Sequence, residues 1–222
     1  MTQEGDLLWQ PDEQRIEQAR MTRFMHWLAS ERDLNFADYE ALRQWSVDHI
    51  EDFWAAYWDY LQIISSAPYD QVLSDRQMPG ARWFEGSRLN YAEHALRHVR
   101  DDEPALWFAS EQQALSSLSG AEFKAQVAAM AHALRGFRVG PGDRVVAYLP
   151  NIPQTVVACL ATLSLGAVWS SCAPDFGAST VLDRFTQIEP KLIFVVDGYR
   201  YGGKGFDRGD EVRHIVESLP TL

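Results

Sequence analysis

The segment from Gly198 to Gly205 reads GYRYGGKG and combines the residue types that bind phosphate. Its glycines let the backbone approach an anion closely, and Arg200, Lys204 and Arg208 supply cations within a short stretch of chain. The segment follows an apolar run, and open α/β sheets bind ligands at the carboxyl ends of such strands. The residues therefore predict an anion site. The alternative is a solvated turn whose cations offset the neighbouring aspartates.

The same segment matches the P-loop pattern G-x-x-x-x-G-K-[ST] except at its last position, where Gly205 lacks the hydroxyl that holds magnesium. A P-loop also needs a helix to begin here, so that backbone N–H groups and the helix dipole converge on phosphate. The next helix is predicted to begin later, with Asp210 as its cap. The pattern therefore argues against an ATP-binding P-loop.

The other polar residues form no recognisable catalytic or metal-binding set. The six histidines show no ligand spacing with cysteine or carboxylate, and no Ser/His/Asp arrangement can be assigned. The DFG triplet at Asp175 to Gly177 stands without the other kinase motifs. We predict no catalytic residue and no metal ligand in this chain.

Composition sets the class of protein. The 222 residues are 46% hydrophobic and 23% charged, which is typical of a globular protein with a sizeable core. The formal net charge of −11 argues against a non-specific partner in nucleic acid or an anionic membrane, because both need a positive surface. The sequence leaves the oligomeric state open.

Targeting and membrane signals are weak. The N-terminus lacks the basic start and apolar core of a signal peptide, and Cys159 and Cys172 are predicted to be buried reduced thiols, so a cytoplasmic location is expected. The stretch from Val145 to Pro174 has no charged residue and could span a bilayer. Pro150 and Pro153 interrupt it, however, and favour a buried strand, helix and second strand over a membrane span.

The elements that would position the anion site fall into two regions with different patterns of apolar residues. Residues 12–61 carry helical periodicity, with helices predicted after Pro11, near Asn35 and from Ser46, and with an aromatic stripe on the third. Past residue 103, apolar strands alternate with helices, which predicts a mostly parallel sheet with helices on both faces. We therefore expect an N-terminal helical, Trp-rich layer over residues 1–100 and an α/β domain over residues 101–222. The predicted strands cover residues 105–110, 144–149, 167–172 and 191–196. Local signals predict the ends of several helices: Asn90 as a cap, Ser119 with Glu122 as a capping box, Pro153 in a first turn and Gly166 at a helix end.

Several of these stretches together resemble one family. They are LRQWSVDHIEDFWAAYWDY (42–60), WFEGSRLNYAEH (83–94) and the run from residue 142 to 205, which contains LPN, LGAVWSS, PDFG and GYRYGGKG. In this order the chain resembles the N-terminal part of the adenylate-forming superfamily, specifically its AMP-forming acyl-CoA ligases. The PDFG and GYRYGGK segments resemble those of the acetoacetate branch of this family.

That resemblance implies an activity and a set of cofactors. The family joins a carboxylate to CoA with ATP and Mg²⁺, and the acetoacetate branch forms acetoacetyl-CoA, AMP and pyrophosphate from acetoacetate, ATP and CoA. The family's Ser/Thr/Gly-rich adenylation loop and its catalytic lysine have no counterpart in these 222 residues. The resemblance therefore implies an incomplete N-terminal part of the fold that is inactive by itself. It also implies that Arg200 meets the 3′-phosphate of CoA, with Gly202, Gly203 and Lys204 as its neighbours in the cofactor-binding loop.

Other functions remain open from the residues alone. The chain could be a non-catalytic module that binds CoA or a nucleotide, or a relative of the acetyl- and propionyl-CoA synthetases. A structural domain that docks through its Trp-rich helices is a third alternative.

Overall fold

The computed structural model describes residues 3–222, which divide into two compact units, one ending at Leu89 and the other beginning at Asn90. The boundary predicted from the sequence lies after residue 100. This division into a helical layer and an α/β domain stays a prediction.

The unit that ends at Leu89 is mainly helical. Its core consists of Phe24, Leu28, Leu42 and Ala56, all less than 5% exposed. The aromatic stripe predicted on the third helix packs inside this unit, where the ring of Phe24 meets that of Tyr57 edge-on at 5.4 Å between centroids. The elements are α1 (Glu13–Glu17), α2 (Arg20–Arg32), α3 (Tyr39–Asp48), α4 (Ile50–Tyr60) and the antiparallel pair β1 (Gln71–Leu73) and β2 (Trp83–Glu85).

The predicted helix starts in this unit need correction. The helix expected after Pro11 is broken at Ala19, whose extended backbone separates α1 from α2. Asp38 caps α3 by accepting from the backbone N–H of Ala41, so this helix begins later than Asn35. Ser46 lies inside α3 and caps nothing, because its hydroxyl donates to the carbonyl of Arg43.

The unit that begins at Asn90 contains a three-stranded parallel sheet. Its strand order is β6-β5-β7, with β5 in the centre. The elements are α5 (Tyr91–Arg97), β3 (Pro104–Phe108), β4 (Ser116–Ser119), α6 (Gly120–Gly136), β5 (Arg144–Tyr148), α7 (Pro153–Ser164), β6 (Val168–Cys172), α8 (Ala178–Phe185), β7 (Leu192–Val195), β8 (Gly198–Tyr201), β9 (Lys204–Asp207) and α9 (Gly209–Glu217).

Helices cover both faces of this sheet, as predicted. Side chains alternate along β5, so that Val145 joins a core with α6 and α7 while Val146 and Tyr148 join a second core with α8 and α9. All three of these residues are fully buried. The uncharged stretch that could have spanned a bilayer is thus β5, α7 and β6. No helix among residues 3–222 is long and apolar enough to cross a membrane.

Local signals in this unit predicted most starts and ends of its helices. The side chain of Asn90 accepts from the N–H of Glu93, and Ser119 and Glu122 form the predicted capping box. Pro153 is in the first turn of α7, and Gly166, with a φ of 71°, follows its end. The prediction for Asp210 is wrong, because α9 begins at Gly209 and Asp210 lies in its first turn.

One predicted strand pairs differently from expectation. The strand expected over residues 105–110 does not join the parallel sheet but pairs antiparallel with β4. The segment Ser116–Ser119 was missed as a strand, since three serines give little apolar alternation.

At the amino ends of the parallel strands, charged side chains form hydrogen bonds and a salt bridge with neighbouring segments of the protein. Arg144 donates from Nε to the carbonyl of Ile188 at 2.7 Å and from Nη2 to that of Glu189 at 2.8 Å. Lys191 Nζ lies 2.8 Å from Asp143 Oδ2, which also accepts from the N–H of Gly140. The hydrogen bond from Lys191 is the main reason why the pKa of Asp143 is lowered.

Candidate functional site

A cavity of about 380 Å³ lies beside the loops that follow the carboxyl ends of β5 and β7. Three segments line it: residues 108–112, residues 150–152 and the start of the β8–β9 hairpin, which includes Arg200. The segment GYRYGGKG therefore forms the arms and turn of a hairpin, in place of the glycine-rich loop expected from its composition. Its position matches the place where open α/β sheets bind ligands.

Pairing in the hairpin fixes the direction of its two exposed cations. Arg200 pairs with Gly205, and Tyr201 pairs with Lys204. Paired residues share a face and adjacent residues alternate, so Arg200 and Lys204 lie on opposite faces of the hairpin. The structure therefore does not bring the two predicted cations together on one surface.

Arg200 and Lys204 are exposed and have no acidic partner. In the described part of the chain, neither side chain forms a salt bridge or a hydrogen bond. Two of the nearby aspartates are engaged elsewhere, since Asp207 accepts from the N–H of Gly209 and Asp210 pairs with Arg213. Both cations are available to an anionic ligand.

Arg208, the third cation of the sequence pattern, is used inside the protein. Its Nη1 lies 2.8 Å from Glu211 Oε1, and its Nη2 donates to the hydroxyl of Tyr199 at 3.1 Å. The bond to Tyr199 is the main reason why the pKa of Arg208 is raised. The backbone N–H of Arg208 also donates to the carbonyl of Asp197 at 2.7 Å. Arg208 thus anchors the base of the hairpin.

The turn of the hairpin has its backbone donors already in use. Gly202 and Gly203 have φ values of 60° and 73°, which fit a two-residue turn that glycine adopts without strain. Their N–H groups donate to the two carboxylate oxygens of Glu111, at 2.7 Å and 2.9 Å. A carboxylate of the protein therefore occupies the two amides predicted to approach a cofactor.

The PDFG segment is fixed by a buried tyrosine. The hydroxyl oxygen of Tyr148 lies 2.7 Å from the carbonyl oxygens of both Pro174 and Phe176. Burial raises the pKa of Tyr148, which keeps the hydroxyl neutral and able to donate. This bond ties the loop after β6 to the end of the central strand.

No metal site is evident among residues 3–222, where His, Cys, Asp and Glu form no group of three that could hold an ion. Both cysteines are free, and burial raises the pKa of each thiol. Cys172 is buried as predicted, while Cys159 is only partly buried.

Two family models match the chain. The model described as "AMP-binding enzyme" matches residues 92–221, and the one described as "Acetyl-coenzyme A synthetase N-terminus" matches residues 39–95. The chain belongs to the AMP-binding enzyme family.

Individual members of the AMP-binding family show which branch the chain is most similar to. Among curated proteins it is 43% identical to acetoacetyl-CoA synthetase from Xenopus tropicalis over 99% of the chain and 42% identical to acetoacetyl-coenzyme A synthetase from Rhizobium meliloti (strain 1021) over 97%. The chain spans 33% of the length of each. Among solved structures, acetoacetyl-CoA synthetase from Streptomyces lividans is 55% identical, with a TM-score of 0.93. That match covers 96% of this chain and 34% of the other.

The comparisons confirm the predicted fold class and family, whereas the roles of single residues stay predictions. Sequence reasoning missed Glu111 and Tyr148. Glu111 lies in an exposed polar segment with no motif, so nothing marks its contact with a turn 91 residues away. Tyr148 did carry a signal, because a hydroxyl in an otherwise apolar central strand needs a hydrogen-bond partner.

Proposed function

We propose that this chain forms the N-terminal third of an ATP-dependent acid–CoA ligase that converts acetoacetate, ATP and CoA into acetoacetyl-CoA, AMP and pyrophosphate. Similarity to acetoacetyl-CoA synthetases over nearly the whole chain supports the substrate class. In the first half-reaction the carboxylate attacks the α-phosphorus of ATP and releases pyrophosphate. In the second, the CoA thiol attacks the acyl carbon and AMP leaves.

Within this enzyme we assign the β8–β9 hairpin to the 3′-phosphate of CoA. The observation that carries the assignment is that Arg200 lines the cavity and that its side chain has no partner among the residues the structure describes. A planar guanidinium offers a phosphate two parallel N–H donors, and this one has no carboxylate to release first. The available residues therefore fit a phosphate group.

The other predicted cofactor residues contribute less in this proposal. Lys204 lies on the opposite face of the hairpin, so it reaches the same phosphate only by bending its long side chain around the edge. Gly202 and Gly203 already donate to Glu111 and act by shaping the turn. Arg200 is thus the principal contact, and Lys204 adds charge nearby.

ATP and Mg²⁺ have no assigned residues in this part of the enzyme. We assign the adenylation machinery to the rest of the ligase, because the family's adenylation loop and catalytic lysine have no counterpart in these 222 residues. We further propose a cytoplasmic location, since the two cysteines are free thiols.

Substitution of Arg200 tests the assignment in the full-length ligase. Hydrogen bonds to charged groups contribute about 1.5–3 kcal/mol, so Arg200→Ala is expected to raise the KM for CoA about tenfold to hundredfold. Lys204→Ala is expected to raise it less than about tenfold. Acetoacetate-dependent exchange of pyrophosphate into ATP should stay unchanged, because that half-reaction does not involve CoA.

Dephospho-CoA provides the sharper control. It lacks the 3′-phosphate, so wild type and Arg200→Ala should use it almost equally well. Arg213→Ala, which removes an exposed arginine paired only with Asp210, is the matched control for charge. An equal loss with CoA and dephospho-CoA, or a loss of pyrophosphate exchange, would contradict the assignment. Comparing acetoacetate with acetate and propionate in the same assay tests the substrate class.

A further inference from the structure

Glu111 links two segments that are far apart in sequence. It lies in the connection between β3 and β4, and its carboxylate accepts from both turn amides of the hairpin, Gly202 and Gly203. Both bonds join an ionised acceptor to backbone donors, which makes them stronger than neutral hydrogen bonds. Each carboxylate oxygen accepts one of the two bonds, so the contact fixes the orientation of the turn as well as its distance from Glu111.

The hairpin is thereby attached at two points. Arg208 anchors its base through Tyr199, Glu211 and the carbonyl of Asp197. Across residues 3–222, Glu111 provides the only polar side-chain contact to the turn. Arg200 lies between these two anchors, and Glu111 lines the same cavity as Arg200. Release of the turn would let the arm that carries Arg200 swing about its base.

We propose that Glu111 is a positioning residue that holds the tip of the hairpin and keeps Arg200 at the cavity wall. This inference rests on the proposed assignment of Arg200 to the CoA phosphate. Glu111 itself does not touch the ligand in this account. Its negative charge near a phosphate site opposes binding, so its benefit must come from geometry.

Because the charge and the positioning effect of Glu111 act on CoA binding in opposite directions, the direction of the change in KM for CoA distinguishes them. In the full-length ligase, Glu111→Ala is expected to raise the KM for CoA about threefold to tenfold, the effect of losing a contact of this kind. The KM for dephospho-CoA and the rate of pyrophosphate exchange should not change. If Glu111 were merely an anion that phosphate must displace, the same variant would lower the KM for CoA, and the proposal would be wrong.

A conservative variant separates shape from charge. Glu111→Gln keeps a carbonyl oxygen that can accept from the turn while it removes the charge, so its KM for CoA should lie between those of wild type and Glu111→Ala. Glu217→Ala, at an exposed carboxylate of α9, removes the same charge elsewhere and should leave the KM for CoA at the wild-type value. A Glu111→Gln variant as impaired as Glu111→Ala would contradict positioning through these hydrogen bonds.

Two further measurements test the mechanism directly. Amide hydrogen exchange of a peptide spanning residues 198–207 should speed up in Glu111→Ala, and unchanged exchange would overturn the proposal. In the double variant with Arg200→Ala, the loss of Glu111 should add nothing, since it acts through Arg200. If Arg200→Ala impairs CoA use and Glu111→Ala does not, only this inference fails. If Arg200→Ala itself leaves discrimination against dephospho-CoA unchanged, the proposed function fails first.

Discussion

The two ends of the parallel sheet use their charged residues differently. At the amino ends, Arg144 and Lys191 donate to carbonyls and a carboxylate of neighbouring segments. At the carboxyl ends, Arg200 and Lys204 face solvent with no partner among the residues the structure describes. The two ends belong to the same three strands, so their chemistry differs through the residues at each strand end and in the connecting segments.

This difference separates stability from ligand binding. A cation whose donors are satisfied by the protein holds the fold together and has little left for a ligand. A cation left unpaired beside a cavity contributes little to stability and is available for an anion. Substitutions at the two ends should therefore change different measurements.

The largest expected effect is the loss of activity when this chain, with its carboxyl-end site, is separated from the rest of the ligase. The adenylation loop and catalytic lysine of the family have no counterpart in the 222 residues, so this chain alone should release no pyrophosphate from ATP with acetoacetate and CoA. Joining it to the remaining two thirds of the Streptomyces lividans acetoacetyl-CoA synthetase should restore activity. Acetoacetate-dependent pyrophosphate release by the isolated chain would contradict this prediction.

At the amino end, Arg144→Ala should lower stability without altering the binding of CoA. It removes the hydrogen bonds to the carbonyls of Ile188 and Glu189, which predicts a loss of about 1.5–3 kcal/mol in the free energy of unfolding. Denaturant unfolding of the full-length ligase measures this, and Arg213→Ala should change stability by less than about 0.5 kcal/mol. A raised KM for CoA in Arg144→Ala would contradict the assignment of stability to the amino ends and ligand binding to the carboxyl ends.

The smallest effect is a pH dependence at the amino end. The folded pKa of Asp143 is lowered, first by the hydrogen bond from Lys191, so its contribution to stability is present at neutral pH and is lost as the pH falls through that lowered pKa. Asp143→Asn should therefore be less stable than wild type at pH 7. The gap should narrow below about pH 4, where the carboxylate of the unfolded chain becomes protonated. A gap that does not vary with pH would exclude titration of Asp143 as the cause.

The sequence predicted those parts of the fold that depend on local signals. Asn90, the Ser119–Glu122 pair and Pro153 act within one turn of chain, and each was placed correctly. The same reasoning failed where a distant partner decides the outcome. The strand near residue 105 pairs antiparallel with β4, and no local pattern in the sequence predicts this pairing.

The candidate site shows the same division. Arg200 was predicted from residue type, its position after a strand and a family resemblance, and it does lie at a cavity. Arg208 has the same residue type, but Tyr199 and Glu211 occupy it, which only three-dimensional contacts reveal. Charge spacing along the chain thus identifies candidates and does not distinguish a ligand-binding arginine from an anchoring one.

The alternation of faces in the hairpin has a consequence for how its length can change. Tyr199 stacks on Phe206 on one face while Arg200 lies on the other, so the two arms are chemically different on their two sides. Deleting or inserting a single residue in β8 exchanges these sides and moves the ring of Tyr199 away from Phe206, its stacking partner. Deleting or inserting two residues preserves them. The spacing between β7 and the glycine turn is therefore constrained by parity, so that insertions and deletions in this arm should be tolerated only in even numbers.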